Sequence, residues 1–253
     1  MDVKYILASP TKNITAIVES FVPIDRQAEV GAKIMEAEPA CEQVAFLLKD
    51  IEGADIHFRM AGGEFCGNAT MAVAAFYCKK NEITKKKVLV KVEGTKNTVE
   101  VDIEKEGSNY TGSVSMPRPF SIKKEKFVFE THNYWYPVVT FEGISHVIIE
   151  DELPLYMPEA CIKMWCDTLH AQGLGMMLLS QDQESIRPLV YVKNPESKVW
   201  ESSCASGTTA VGAYFAYKEG RDINMSFKEP GGILTVEASA DGKLLLKGTV
   251  EFF

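Results

Sequence analysis

One stretch of this chain occurs twice, and both copies begin with cysteine. Cys66-Gly67-Asn68-Ala69-Thr70-Met71-Ala72-Val73-Ala74-Ala75-Phe76-Tyr77 aligns with Cys204-Ala205-Ser206-Gly207-Thr208-Thr209-Ala210-Val211-Gly212-Ala213-Tyr214-Phe215, and Cys, Thr, Ala, Val and Ala stand unchanged at matching offsets. A duplication constrains the fold strongly, because each copy needs an equivalent environment. In both, small and polar residues follow the cysteine and an Ala-rich apolar run follows them. That order predicts a tight turn opening a helix. A helix that is apolar all round must be covered, so both helices are expected to be central ones. Each thiol then sits at a helix N-terminus, where unpaired amides and the positive end of the dipole favour thiolate and attract a carboxylate.

At 253 residues the chain can build two modest halves, each with a real core. The division is expected at Pro117-Arg118-Pro119, which breaks both periodicities. Residues 1–118 would carry the Cys66 helix and 119–253 the Cys204 helix, with the last strand able to return to the first half. Hydrophobic residues make up 46% and charged ones 25%, as in an ordinary globular protein. The net charge of −8 argues against nucleic acid, and the one basic cluster, Lys85-Lys86-Lys87, reads as a solvated loop. After Asp2 and Lys4 the apolar run Tyr5-Ile6-Leu7-Ala8 is too short for a signal-peptide core, and no stretch is long enough to span a membrane. A cytoplasmic protein with six reduced cysteines follows, and a homodimer is compatible with it.

Periodicity predicts many strands around few helices. In the first half these are strands at Val3–Ala8, Ile14–Glu19, Gln43–Lys49, Ile56–Met60, Val88–Val92, Thr98–Glu104 and Tyr110–Met116, with helices at Arg26–Glu38 and Cys66–Lys79. The second half reads as strands at Phe127–Glu130, Tyr136–Phe141, His146–Glu150, Met176–Ser180, Leu189–Lys193, Asn224–Phe227, Ile233–Ala238 and Leu244–Phe253, with helices at Pro158–Gln172 and Cys204–Glu219 and a C-cap at Gly220. Cys41, Cys78, Cys161 and Cys166 read as packing residues, as does the Met176-Met177 pair. Metal-ligand spacing is missing, as are a dinucleotide loop, a phosphate loop and a motif for a pyridoxal-phosphate lysine, so neither metal nor cofactor is expected.

Two thiols in equivalent contexts suit stereoinversion at carbon. One, as thiolate, removes a Cα proton from one face while the other, as thiol, delivers a proton to the opposite face. A helix N-terminus would lower a thiol pKa from roughly 8.5 towards neutrality. Charge building on the substrate carboxylate would be held by the backbone amides of Gly67, Asn68, Ala205 and Ser206.

The segments Gly62-Gly-Glu-Phe-Cys66-Gly-Asn-Ala-Thr70, Glu201-Ser-Ser-Cys204-Ala-Ser-Gly-Thr208 and Pro230-Gly-Gly232 resemble the cofactor-independent, two-cysteine racemases and epimerases of the diaminopimelate epimerase fold. The resemblance covers nearly the whole chain. Cys41-Glu42-Gln43-Val44-Ala45-Phe46, Glu64–Met71, Gly175-Met-Met-Leu178 and Pro188-Leu-Val-Tyr191 are most similar to the histidine racemases of the staphylopine-pathway type. It implies an α/β (α+β) fold of two pseudo-symmetric domains, each with strands wrapped around a central helix. It also implies acid/base roles for Cys66 and Cys204, an amino-acid substrate faced by Asn13 and Gln43, a role for Glu201 at the substrate amine or the thiol, and a His146 that assists the nearby cysteine, whereas the residues by themselves read as a structural histidine at 146 and a turn cap at Asn13.

Departures from the epimerase pattern bear on the substrate. Ile144-Ser145-His146 replaces an Asn-Pro-His segment, and Ser202 replaces an Arg directly after the acid. Without that Arg, the distal carboxylate of diaminopimelate loses a bidentate charged partner. Glu42 offers instead a carboxylate able to accept an imidazole N–H, which suits histidine. The competing readings are a diaminopimelate epimerase, a phenazine-biosynthesis-type isomerase, which shares the fold without the two cysteines, and an amino-acid-binding protein without turnover.

Overall fold

The computed structural model describes residues 3–49, 51–93, 95–194 and 196–253; Asp2, part of the N-terminal argument, lies outside them. The chain divides into two compact units, Met1–Ser115 with Leu246–Phe253, and Met116–Leu245.

The first unit is a closed barrel around a helix. Its elements are β1 (Tyr5–Pro10), β2 (Thr15–Val18), α1 (Ile24–Ala37), β3 (Gln43–Leu47), β4 (Ile56–Met60), α2 (Gly67–Lys80), β5 (Lys85–Val92), β6 (Val99–Glu106) and β7 (Asn109–Met116). Strands β1 through β7 pair in chain order, and the last strand, β16 (Leu244–Phe252), pairs back antiparallel to β1 with Ala8 opposite Phe252 and Pro10 opposite Val250. Closure removes the sheet edges, and inward residues of successive strands then face one interior. Helix α2 fills it, packing against β1 to β6, with Met71, Ala72, Val73, Ala74 and Ala75 wholly buried. Small side chains suit the place, since a narrow barrel leaves little room around a helix. Outside, α1 turns Val30, Gly31 and Ile34 towards the barrel and packs on β3.

The second unit contains β8 (Ser121–Phe129), β9 (His132–Thr140), β10 (Ser145–Ile149), α3 (Met157–Thr168), β11 (Gly173–Leu179), β12 (Ile186–Lys193), β13 (Glu196–Trp200), α4 (Ala205–Glu219), β14 (Ile223–Glu229) and β15 (Gly232–Ala238). A six-stranded sheet runs β13-β12-β11-β10-β9-β8, and a parallel bridge from Ser185 to Lys228 ties the β14–β15 hairpin to the segment entering β12. Strand alternation sorts the two faces. Val147, Ile149, Leu174, Met176, Leu189 and Tyr191 form a core with Met157, Ile162 and Trp165 of α3, whereas His146, Ile148, Gly175 and Met177 take the other face. Helix α4 packs there, against β9, β10, β11, β14 and β15. Gly220 ends it at φ 65°, the left-handed C-cap that glycine adopts without strain.

Four details differ from the sequence reading. Lys85, Lys86 and Lys87 open β5 instead of forming a loop, because Glu104, Asp55 and Glu100 each pair one of their ammonium groups. Strand β13 was not expected, since four of its five residues are exposed and its pattern is polar. Helix α3 stops at Thr168 rather than Gln172, where His170 takes a left-handed φ of 52°. Strand β8 begins at Ser121, six residues earlier than Phe127, through a largely exposed Lys-rich stretch.

Candidate active site

Both cysteines of the repeat are N-cap residues, Cys66 of α2 at φ −131° and ψ 119°, and Cys204 of α4 at φ −123° and ψ 98°. The invariant threonine of the repeat, which the sequence reading left without a role, explains part of the duplication. Thr70 Oγ1 donates to Cys66 O at 2.7 Å and Thr208 Oγ1 lies 3.0 Å from Cys204 O, so each hydroxyl secures the carbonyl four residues back. A buried threonine is thereby satisfied, and the peptide that carries the thiol is held in place.

In the first unit, Cys66 stands at the end of a chain of hydrogen bonds. Asn13 Nδ2 donates to Glu42 Oε2 at 2.6 Å, Gln43 Nε2 donates to Asn13 Oδ1 at 2.6 Å and to Thr15 Oγ1 at 2.8 Å, and the Cys66 thiol donates to Gln43 Oε1 at 3.0 Å. The direction is set at the far end. A carboxylate only accepts, so Asn13 must offer its NH2 to Glu42, its oxygen to Gln43, and Gln43 its own oxygen to sulfur. Parallel β2 and β3 hold the relay together, because their register sets Thr15 beside Gln43. Sulfur also accepts the Ala69 N–H at 3.5 Å, the ordinary N-cap bond of this helix. Gly67 and Asn68 occupy its buried first turn.

In the second unit, Cys204 meets carboxylates where Cys66 meets an amide. Its N–H donates to Glu229 Oε2 at 2.7 Å, and Ser206 Oγ lies 3.7 Å from its sulfur. Burial, and after it the neighbouring acids Glu201 and Glu229, push the Cys204 thiol well above its usual range. The helix N-terminus was expected to lower it. Here the partial charge of the dipole is outweighed by loss of solvent and by two nearby acids. Cys204 is therefore a thiol at rest. Ala205 and Ser206 open α4 beside it, and Gly207 permits a close approach, since a Cβ there would lie 2.1 Å from Met177 Sδ and 3.1 Å from Cys204 Sγ.

His146 lies on the β10 face that α4 covers and is wholly buried, edge-on to Phe141 at 6.1 Å. Burial lowers its pKa to about 3, so the ring is neutral. Neither ring nitrogen has a hydrogen-bond partner among the described residues. Gly175, its register partner, leaves the space the imidazole occupies, as a Cβ there would meet Nδ1 at 2.3 Å.

Glu229, which the sequence alone does not single out, directly precedes Pro230-Gly231-Gly232 and ends a strand whose buried positions are otherwise Ile223 and Phe227. The Gly231 N–H donates to Ser202 O at 2.7 Å, which ties this turn to the segment before Cys204. Cys41, Cys78, Cys161 and Cys166 are buried packing residues, and Met176 and Met177 are buried in β11. Among the described residues no group of three or more His, Cys, Asp or Glu is placed to hold a metal, and no helix is long and apolar enough to cross a membrane.

The family model described as the histidine racemase CntK N-terminal domain matches residues 2–251. The chain belongs to this family. It is thus an isomerase by family, and curated histidine racemases are similar to it along nearly their whole lengths. One from Fusobacterium nucleatum is 29% identical over 98% of this chain and 92% of its own length, and one from Staphylococcus aureus 27% over 90% and 85%. A Pseudomonas aeruginosa structure titled as a predicted epimerase superposes with a TM-score of 0.69 at 13% identity, covering 100% of this chain and 97% of its own. That likeness speaks for the fold, which is the diaminopimelate epimerase-like one.

Proposed function

We propose that this chain interconverts L- and D-histidine without a cofactor, using Cys66 and Cys204 as paired bases. The observation that carries the proposal is the equivalent placement of the two thiols, each an N-cap on a buried helix, in a member of the histidine racemase family. In the forward direction one thiolate takes the Cα proton and becomes a thiol. The carbanion takes a proton on its other face from the second thiol, which becomes a thiolate. No net proton is consumed, and the reverse reaction exchanges the roles.

The half-sites divide the work unequally. Cys204, held as a thiol by burial and by the charge of Glu201, enters as the acid, so Cys66 is the base that removes the Cα proton from the opposite face. Cys66 acts as the thiolate, the Cα proton passes onto its sulfur, and the S–H so formed donates to the neutral Gln43 amide oxygen. The amides of Gly67, Asn68, Ala205 and Ser206 are assigned to the substrate carboxylate, whose charge grows as the proton leaves. Asn13, Glu42 and Gln43 are assigned to the imidazole side, Glu201 to the amine or the Cys204 thiol, and His146 to support of Cys204 from the adjacent β10 face. Ser202 in place of an Arg supports histidine over diaminopimelate. The setting proposed is cytoplasmic, where thiols stay reduced.

Incubation with L-histidine in heavy water, without cofactor, tests this. Deuterium should enter Cα while optical rotation decays to zero, because enantiomers have equal free energy. Binding of histidine with no exchange would favour an amino-acid-binding protein and end the proposal.

A further inference from the structure

Glu229 sits in surroundings unusual for a carboxylate. It ends β14 at an inward position, 3% exposed, in line with the buried Ile223 and Phe227. Its Oε2 accepts the Cys204 N–H at 2.7 Å, and its Oε1 meets the hydroxyl of Thr208. The charged group acting on it is Glu201, of its own sign, and among the described residues no cation pairs with it. The titratable groups around it are therefore Glu201 and the Cys204 thiol, with Thr208 as an uncharged neighbour.

The Cys204 carbonyl already accepts the Thr208 backbone N–H at 2.8 Å, and the Thr208 hydroxyl adds a second contact whose one proton is shared with Glu229. Thr208 Oγ1 lies 3.0 Å from Cys204 O and also meets Glu229 Oε1, yet a hydroxyl has one proton to give. Both contacts are hydrogen bonds when Glu229 is protonated on Oε1 and donates to Thr208. The ring then closes: Glu229 O–H to Thr208, Thr208 O–H to Cys204 O, Cys204 N–H to Glu229 Oε2. An ionised Glu229 would pull the threonine proton away from that carbonyl and leave a buried charge with two donors and a second acid nearby.

We propose that Glu229 is a positioning residue that works as a neutral carboxylic acid, clamping the N–H and, through Thr208, the C=O of Cys204 so that its thiol keeps one place at the head of α4. The proposal rests on the reading of Cys204 as one of the paired bases. In accord with it, burial raises the Glu229 pKa to about 8. Above that pH the ring opens and a new negative charge faces a thiol that must also ionise during turnover.

Glu229→Gln tests the proposal, because a glutamine amide reproduces the acceptor and the donor of the acid but not a carboxylate. With histidine as substrate, the glutamine variant should keep kcat near the wild-type value at neutral pH. Glu229→Ala should lose about 10²-fold in kcat with little change in KM, the scale of a displaced catalytic group. Wild-type kcat should fall as pH rises through about 8, and the glutamine variant should lack that limb. A glutamine variant as impaired as alanine, with unfolding temperature unchanged, or a limb common to both proteins, would overturn the assignment.

Infrared spectroscopy reads the same proton without turnover. A protonated-carboxyl band below neutrality that fades as pH passes about 8 and is missing from Glu229→Gln supports the proposal even if histidine proves not to be the substrate. No such band in the wild type refutes it, whatever the activity.

Discussion

At the scale of single residues, the half-sites differ in the company their sulfurs keep. Cys66 bonds a neutral amide whose orientation is handed along from Glu42, and Cys204 faces two acids. Cys66→Ser and Cys204→Ser should each reduce racemisation by about 10²-fold or more, the usual worth of a positioned acid or base, read as optical rotation against time. Either variant retaining wild-type rates would remove that sulfur from the mechanism. Glu42→Gln should cost on the order of tenfold in kcat/KM, since an amide there can donate to Asn13 and let the relay reverse, turning a donor towards Cys66. Unchanged kinetics would show that the relay is not needed. Much of this was legible: Asn13, Glu42, Gln43 and Cys66 were all singled out from the sequence, and the structure brings them into one network. Glu229 was not, because a lone glutamate beside a Pro-Gly-Gly turn looks like any solvated acid until its burial is known.

At the scale of elements, the two helices of the repeat are alike in sequence but not in their tightest contact. Gly212 in α4 stands where the first copy has Ala74, and a Cβ on it would meet Val236 Cγ2 at 2.5 Å and Cγ1 at 2.6 Å. Val236 is wholly buried and β-branched, so it has no slack to give. Gly212→Ala should therefore destabilise the protein by about 1–3 kcal/mol despite the better helix propensity of alanine, visible as a lower urea midpoint. An unchanged or raised midpoint would mean that α4 can move off β15. Helices and inward-facing strands announced themselves through apolar periodicity. Strand β13 did not, because its residues are held by backbone pairing to β12 while four of its five side chains face solvent. The lysines of β5 misled for a related reason: the carboxylates that neutralise them come from Asp55 and from Glu100 and Glu104 of β6, in positions that no local window connects.

At the scale of the whole molecule, two buried titratable groups set opposite limits on stability. Burial lowers the pKa of His146 to about 3 from 6.5, so below pH 6.5 the unfolded chain takes up a proton that the folded one refuses. Stability should fall by up to about 1.4 kcal/mol per pH unit as pH drops from 6.5 towards 3, and thermal melts should show a shallower acid loss in His146→Leu. Equal acid slopes in both proteins would mean that the ring is solvated. Glu229 acts the other way: its pKa is raised to about 8 from 4.5, so its contribution is whole below pH 4.5 and is lost as pH climbs to about 8. The sequence by itself determined that two alike cysteine-headed helices would be enclosed by strands, because an Ala-rich surface must be covered and alternation marks the strands that cover it. Only the tertiary structure decided the chemistry at each sulfur. A thiol's proton affinity depends on solvent and charges contributed by residues distant in the chain, which made Cys204 a buried thiol beside acids and gave Cys66 an amide partner.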